Sequence, residues 1–415
     1  MRKIFSLILW TLVVAIAYAS DIECVGIATQ VINGTDTTFI FKDEIHLRST
    51  IGNLTWYNAD GTEYASGTDE IYPGDGCYTA AGHSFCVYLY KDIADLAFTI
   101  EPDCESTIIR VTGDMGSFAR TYSLSYNVLA WDSEQWYDSA AVNTGKLRSA
   151  ITLPALYGPT PLRLYYDPQV RSALGLDSAY VEVLLSLDEV KAVNMQLTHI
   201  ATTRGKEGEK TNEGNRPSSE TLIKGSEYSG PLEVAFYSNP TPAVQYYKWS
   251  IYQGSKLIVS RYDPDIRYTF SESETYRVVC SVNNTSCQSD SSEVGVIISE
   301  SYLAVPNVFT PNGDDANNEF RVAYRSLREF HIWVYNRWGK LVYESVDPAK
   351  GWDGNINGRP AAPGAYYYVI RALGTDAAKD AHYIGLKAVY NKRKANADES
   401  VIGVYQLSGD INLLR

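Results

Sequence analysis

The chain has 415 residues, a hydrophobic share of 45% and a formal net charge of −13. Such a length predicts about two to four domains, and such a hydrophobic share excludes an intrinsically disordered chain. The negative charge argues against nucleic acid and anionic membranes as partners.

The first 19 residues have the composition of a secretion signal. Arg2 and Lys3 form a basic start, residues 4–16 are largely apolar, and Ala17-Tyr18-Ala19 is a small-x-small cleavage motif. The apolar run is too short for a membrane anchor, and no later segment is long and apolar enough to span a membrane. We therefore predict signal-peptide cleavage after residue 19 and no transmembrane segment in the mature chain.

The six cysteines are an even number, which suits disulfide pairing in an exported chain. Cys280 and Cys287 enclose a turn-rich segment, and we predict a local disulfide between them. The remaining cysteines allow three pairings that the sequence does not distinguish, and buried free thiols are the alternative reading; these are Cys24, Cys77, Cys86 and Cys104. No Cys-x-x-Cys motif supports a zinc site.

Almost every periodic segment alternates with period two, and the chain contains 32 tyrosines. Aromatic and β-branched residues between Gly, Asn, Asp and Pro clusters are typical of strands. The sequence predicts an all-β protein of tandem immunoglobulin-like β-sandwich domains. Only the segment "DPQVRSALG" is compatible with a helix.

Composition divides the chain into five segments after the signal peptide. Residues 203–220 contain no large apolar residue and mix charge with Gly and Pro, so they are predicted to be a linker or an exposed hairpin loop. The predicted domains are a β-sandwich at 20–105, a β-rich domain at 106–202, an immunoglobulin-like domain at 221–300 and a final β domain at 303–415.

Two tryptophans occur in similar strand-to-hairpin contexts. Trp56 is followed five positions later by Gly61, and Trp249 by Gly254. The second context, with "YTFSESETYRVVCSV" further on, resembles a PKD-type or immunoglobulin-like module, although Glu274 stands where that module usually has Gly. The resemblance implies that Trp249 is the buried tryptophan of a central strand.

The stretch "VPNVFTPNGDDANNEF" opens the final domain and admits three readings from its residues alone. Oxygen ligands for calcium could come from Asp314, Asp315, Asn317 and Asn318, but the alternating acidic spacing and terminal Glu of a calcium loop are missing. A phosphate cradle needs a Gly-rich turn before a helix, and only Gly313 is present. The third reading is a structural turn whose Asn and Asp side chains bond to their own backbone.

The same stretch, with "WVYNRWGKLVY", "GWDG", "PAAPGAYYYVI" and the terminal "LSGDINLLR", resembles the gliding motility-associated C-terminal domain of the Bacteroidota, the type B sorting domain of type IX secretion. One departure is Asp315, where the family usually has Gly. The motif residues are Pro306, Asn307, Phe309, Pro311, Asn312, Gly313, Asp314, Asn336, Arg337, Trp338, Gly339, Trp352, Asp353, Gly354, Pro363, Gly364 and Tyr366.

This resemblance implies an export route. The chain would reach the cell surface or the medium through the type IX outer-membrane translocon and its associated outer-membrane proteins, which would be its partners. From residue 304 onward the chain carries 14 Lys and Arg against 12 Asp and Glu, a balance of +2, so the preceding residues carry −15.

For residues 20–300 we expect an adhesive or ligand-binding stalk that recognises a glycan or a host protein. Trp131, Trp136 and Tyr137 in "WDSEQWYDS" are candidates for stacking on a ligand, although they could instead pack the sandwich. The five histidines are scattered, and no cofactor or catalytic motif is present, so we expect no enzyme. The alternatives are a glycan- or peptide-active hydrolase with its site in residues 20–220, and a structural spacer without a ligand.

Overall fold

The computed structural model describes residues 21–33, 36–116, 118–204, 217–289, 291–314, 316–384, 387–389 and 402–415. The predicted signal peptide lies outside these residues. The described chain consists almost entirely of strands, with one short helix, and it divides into two compact units, Met1–Ala192 and Val193–Arg415. The all-β prediction is confirmed, and the sheet orders below are those of tandem immunoglobulin-like sandwiches.

The first sandwich of unit 1 has nine strands in two sheets. They are β1 Ile22–Cys24, β2 Ala28–Asn33, β3 Asp36–Phe41, β4 Leu47–Ser49, β5 Leu54–Asn58, β6 Glu63–Thr68, β7 Glu70–Ile71, β8 Gly76–Ala80 and β9 His83–Leu89. One sheet has the order β1-β4-β7 and the other β2-β3-β9-β8-β5-β6, with β3 parallel to β9. In immunoglobulin lettering these are sheets A-B-E and A′-G-F-C-C′, with β2 added at one edge.

The second sandwich of unit 1 repeats this order without the A′ strand. Its elements are β10 Ala97–Pro102, β11 Ser106–Thr112, β12 Thr121–Trp131, β13 Trp136–Lys146, β14 Ala150–Pro154, β15 Thr160–Tyr166, α1 Pro168–Ala173 and β16 Tyr180–Leu185. The sheets are β10-β11-β14 and β13-β12-β15-β16, which correspond to A-B-E and C′-C-F-G. The helix lies in the segment where the sequence allowed one.

The predicted boundary at residue 105 falls inside a β-hairpin. β10 pairs with β11 from Ala97 through Pro102, so residues 97–102 belong to the second sandwich. The segment between Pro102 and Ser106 therefore connects two strands of one sheet and does not end a domain.

A buried ion pair lies where the two sandwiches of unit 1 meet. Arg120 Nη1 is 2.6 Å from Asp167 Oδ2, and both side chains are almost fully buried. Arg120 Nη2 also donates to the Lys91 carbonyl at 2.6 Å, and the Thr121 amide donates to Asp167 Oδ1 at 3.0 Å. The desolvation of both charges is thus offset by hydrogen bonds to further partners.

Unit 2 begins with a third sandwich. Its strands are β17 Thr198–Arg204, β18 Pro217–Glu220, β19 Glu227–Tyr228, β20 Leu232–Tyr237, β21 Tyr246–Gln253, β22 Lys256–Arg261, β23 Asp265–Phe270, β24 Thr275–Asn283 and β25 Ser292–Ile298. The sheets are β18-β17-β20-β23 and β19-β25-β24-β21-β22, with β19 parallel to β25. Strands A-B-E and A′-G-F-C-C′ follow the order of the first sandwich, but the added strand β18 lies beside A and not beside A′.

The pairing of β17 corrects the predicted boundary at residue 202 and favours the hairpin over the linker for residues 203–220. β17 lies in the segment we assigned to residues 106–202, yet it pairs with β20 of the third sandwich. β18 pairs back onto β17, so the described ends of the 203–220 segment form a hairpin and not a linker between domains. Residues 205–216 lie outside the described residues.

The fourth sandwich contains the motif residues. Its strands are β26 Tyr302–Ala304, β27 Val308–Phe309, β28 Ala323–Arg325, β29 Leu327–Tyr335, β30 Leu341–Ser345, β31 Asn355–Ile356, β32 Arg359–Pro360, β33 Gly364–Gly374, β34 His382–Ile384, β35 Lys387–Val389 and β36 Val404–Leu413. The main sheet has the order β27-β36-β33-β29-β30, with β27 parallel to β36, and is again A′-G-F-C-C′.

Three of the four sandwiches share a tyrosine at the start of strand F whose hydroxyl donates to a carbonyl four residues upstream. The bonds run from Tyr78 to Gly74 at 3.0 Å, from Tyr276 to Glu272 at 3.2 Å and from Tyr366 to Ala362 at 2.8 Å. This is the tyrosine corner of immunoglobulin-like domains. The tryptophans of strand C, Trp56 and Trp249, are fully buried, and each indole donates to a backbone carbonyl (3.2 Å and 3.0 Å), which supports the repeat suggested by the sequence.

The two sandwiches of unit 2 have separate apolar cores. One is centred on Phe236, Trp249 and Phe270, the other on Phe309 and Trp352, and the two clusters share no residue. Polar contacts join the sandwiches: the buried Ser326 hydroxyl lies 2.9 Å from that of Ser299 and accepts from the Gly230 amide at 3.2 Å. The C-terminal domain therefore has its own core and a hydrogen-bonded junction with its neighbour.

The cysteine prediction is wrong for Cys280, which is a free and fully buried thiol. On the β24–β25 hairpin its cross-strand partner is Ser292, whereas Cys287 lies at the turn between the strands. A disulfide forms between Cys77 and Cys86, which face each other across β8 and β9 with Cα atoms 3.9 Å apart. Sequence proximity suggested the wrong pair because strand register, not separation, sets which side chains meet.

Candidate recognition site in the C-terminal domain

The family-like motifs of the C-terminal domain meet at one end of its main sheet, which we call the motif pole. β33 runs antiparallel to both β29 and β36, so the start of β33 lies beside the ends of the other two strands. β27 pairs with the last residues of β36, Asn412 and Leu413. The segments PNVFTP, NRWG, PGAY and the terminal Leu-Leu-Arg therefore share this end.

Three motif aromatics are buried beneath the motif pole. Phe309 and Trp352 have ring centroids 5.4 Å apart, and Trp352 and Tyr366 have centroids 4.9 Å apart. Trp352 is 1% exposed, and its indole donates to the Asn355 carbonyl at 2.8 Å. These residues stabilise the domain and are not available to a partner.

Gly354 of the GWDG motif is required by both conformation and space. Its φ is +72°, and a Cβ there would lie 3.1 Å from Leu413 Cδ1, 3.1 Å from Pro311 Cγ and 3.2 Å from Phe309 Cε2. Its carbonyl accepts from the Arg415 guanidinium at 3.0 Å, which ties the C-terminal residue to the motif pole. Leu413 and Arg415 were not among the predicted motif residues, although the Leu-Leu-Arg ending indicated them.

The loop at residues 311–318 bonds to itself. The Gly313 amide donates to Asn318 Oδ1 at 2.8 Å, Asn312 Nδ2 donates to Asp314 Oδ2 at 2.8 Å, and the Ala316 amide donates to Asp314 Oδ1 at 3.0 Å. The Asn312 side chain, followed by the Ala316 amide, lowers the pKa of the Asp314 carboxyl. Asn317 adopts a φ of 53°, while Asp315 lies outside the described residues. The geometry is that of a side-chain-stabilised turn.

The NRWG segment is a tight turn between β29 and β30. Asn336 Oδ1 accepts from the Trp338 and Lys340 amides, both at 3.0 Å, and the Asn336 carbonyl accepts from the Gly339 amide at 2.9 Å. Gly339 has a φ of 75°, which suits glycine. The turn therefore depends on Asn336 and Gly339, and its hydrogen bonds do not use the side chains of Arg337 and Trp338.

Trp338 projects into solvent from the tip of this turn. It is 74% exposed and is the only exposed tryptophan in the part of the chain that the structure describes. The Arg337 guanidinium lies 4.2 Å from its ring centroid. Burial raises the pKa of the Tyr366 hydroxyl, and the positive charges of Arg415 and Arg337 oppose this shift, so both cations lie near the motif pole.

A second aromatic group lies at the tip of the β12–β13 hairpin in unit 1, where both tryptophans are half-buried. Trp131 and Trp136 are cross-strand partners with ring centroids 5.4 Å apart, and the neighbouring Tyr137 is 46% exposed. β15 pairs with β12 only from Tyr122 to Ser125, so the tip extends beyond that strand pairing. The Asp132 carboxylate accepts from the Glu134 and Gln135 amides and closes the turn.

Two features are absent from the described residues. They contain no cluster of three or more His, Cys, Asp or Glu side chains with metal-binding geometry. No helix among them has the length and apolarity needed to cross a bilayer.

Comparisons with known proteins identify the C-terminal domain. Residues 303–386 match the CHU_C Type IX secretion signal domain. No curated protein matches the chain.

Solved structures of other β proteins align over much of the chain with low similarity. The chicken CNTN1 FN1–FN3 domains are 11% identical, with a TM-score of 0.24, over 67% of this chain and 92% of that one. Escherichia coli alpha-2-macroglobulin activated by porcine elastase is 9% identical, with a TM-score of 0.18, over 94% of this chain and 44% of that one. TM-scores this low carry no information about function.

Residues 303–386 form a type IX secretion signal domain, and the chain is therefore exported to the cell surface or the extracellular space.

Proposed function

We propose that the exported chain is an adhesive or ligand-binding surface protein whose tandem β-sandwiches act as a stalk. The observation that carries the proposal is the aromatic tip of the β12–β13 hairpin. Trp131 and Trp136 face each other at its end, and exposed Tyr137 follows on the opposite face of the hairpin. The half-buried indoles leave ring surface accessible to a ligand, and Tyr and Trp are enriched at binding surfaces.

The ligand class that suits this tip is a glycan. Aromatic rings stack on the apolar faces of sugars, and the exposed carboxylates of Glu134 and Asp138 can accept hydrogen bonds from sugar hydroxyls. A host protein is the alternative ligand. A stalk that displays such a tip is consistent with delivery outside the cell.

The test of ligand binding uses the full mature chain on a glycan array. We expect binding to at least one class of glycan, and a loss of roughly tenfold or more in affinity for Trp131→Ala/Trp136→Ala, as for a binding hot spot. Val142→Ala is the matched control, because Val142 is 65% exposed on the same hairpin but far from its tip. An unchanged affinity of the double variant would contradict the assignment of the tip.

The test of delivery removes residues 303–415 in a bacterium with type IX secretion. We expect the shortened chain to remain in the periplasm while the full chain reaches the surface or the medium. Unchanged arrival outside the cell would contradict delivery through this domain.

A further inference from the structure

We propose that Trp338, with Arg337 and Lys340 beside it, is the contact through which the export machinery recognises this domain, and that the partner offers an acidic pocket able to take an indole ring. This inference rests on the proposed delivery through type IX secretion and names the surface that delivery would use.

The first argument is that folding does not explain the tryptophan. The backbone of the turn is fixed by Asn336 and Gly339, and the Trp338 ring is 74% exposed. The other motif aromatics, Phe309, Trp352 and Tyr366, are buried in the core and fix its packing. A large apolar ring held at the tip of a rigid turn is the arrangement of an interface anchor, because little conformational entropy is lost when it binds.

The second argument is charge. Arg337 and Lys340 are exposed on either side of Trp338, and within the described residues no carboxylate forms an ion pair with either of them. The chain from residue 304 onward has a balance of +2, whereas the preceding residues carry −15. An acidic partner would attract this tip and repel the remainder of the chain, which gives specificity for the C-terminal domain.

The third argument is the position of the tip. The turn joins β29 to β30 at the motif pole, where the terminal Arg415 also bonds to Gly354. The buried motif residues thus hold the exposed ones in place. A partner that binds Trp338 in this position therefore binds only the folded domain.

The test follows export of the full chain in a bacterium with type IX secretion, measured as the fraction outside the cell against the fraction in the periplasm. We expect Trp338→Ala to lower export roughly tenfold or more, as for an interface hot spot, and Trp338→Phe to restore part of it. Tyr262→Ala is the matched control, since Tyr262 is 68% exposed in the third sandwich. Export of Trp338→Ala at the level of this control would overturn the proposal.

A charge-reversal variant and the shortened chain separate failure of the proposed contact from failure of delivery through the domain. Arg337→Glu/Lys340→Glu leaves Asn336, Trp338 and Gly339 intact. It therefore tests the proposed contact even if Trp338→Ala lowers the thermal stability of the domain. We expect it to accumulate in the periplasm, and normal export of this variant would contradict the acidic partner. If removal of residues 303–415 abolishes export while the tip variants are exported normally, only this inference fails. If the shortened chain is still exported, delivery through the domain fails as well.

Discussion

Gly354 offers a direct measure of how tightly the motif pole is packed. Gly354 and Gly358 have nearly the same φ, +72° and +75°, but a Cβ at Gly358 would meet no atom within 4 Å. Alanine at a positive φ costs about 1–2 kcal/mol, and this cost applies to both sites. At Gly354 the Cβ would also press on Leu413, Pro311 and Phe309 at 3.1–3.2 Å, and such overpacking adds about 1–3 kcal/mol.

We therefore expect Gly354→Ala to destabilise the domain by about 2–5 kcal/mol and Gly358→Ala by about 1–2 kcal/mol. The entropy that alanine removes from the unfolded chain is the same for both variants and cancels in the difference. The assay is amide hydrogen exchange of the full chain, read in peptides from β33 and β36, which reports the opening free energy of this domain alone. Equal losses in the two variants would refute the claim that Gly354 is required for close packing.

Three further predictions concern the third sandwich. Tyr276→Phe removes the hydroxyl that donates to the Glu272 carbonyl at 3.2 Å, so we expect a loss of about 0.5–1.5 kcal/mol. The measurement is hydrogen exchange in peptides from β21 and β24 of the third sandwich, where Tyr262→Phe on the surface should change nothing. Burial raises the pKa of the Cys280 thiol to about 12, so it should resist alkylation at pH 8 in the folded chain and react in urea; rapid labelling of the native chain would contradict its burial. Burial lowers the pKa of the His199 imidazole, so its contribution to stability is complete above the unfolded pKa of about 6.5 and is lost as the pH falls below it. His199→Asn should flatten the dependence of the unfolding free energy on pH between pH 7.5 and 5.5. An unchanged slope would contradict the lowered pKa of His199.

Local pattern was enough to find the strands and the class of fold. The Leu54–Asn58 and Glu63–Thr68 strands form the hairpin that the Trp56–Gly61 context indicated, and Gly61 has a φ of 82°. The period-two alternation of β29 places one face of that strand in the core. These features depend only on neighbours in sequence.

Domain boundaries were less accessible, because a strand can join either of two adjacent sheets without a change in its own pattern. Thr198–Arg204 has the composition of an ordinary strand, and only its pairing with β20 assigns it to the third sandwich. The polar segment that follows has the composition of both a linker and a hairpin tip. The sequence could not distinguish them because neither buries apolar surface.

In the candidate recognition site, too, the sequence does not determine which side chains are exposed. Trp338 and Trp352 both belong to sequence motifs, yet one is 74% exposed and the other 1%. The difference arises from tertiary position. Trp352 packs between Phe309 and Tyr366, whereas Trp338 projects from a turn into solvent. Sequence motifs therefore identified the domain but not which of its residues a partner can reach.

The most direct test of the central claim is transfer of export to an unrelated protein. A fluorescent protein with its own signal peptide is fused to residues 193–415, the second compact unit, or to residues 193–302 as the matched control, in a bacterium with type IX secretion. The first fusion is expected outside the cell and the second in the periplasm. Retention of both fusions in the periplasm, with the C-terminal domain folded, would contradict the claim that this domain directs export.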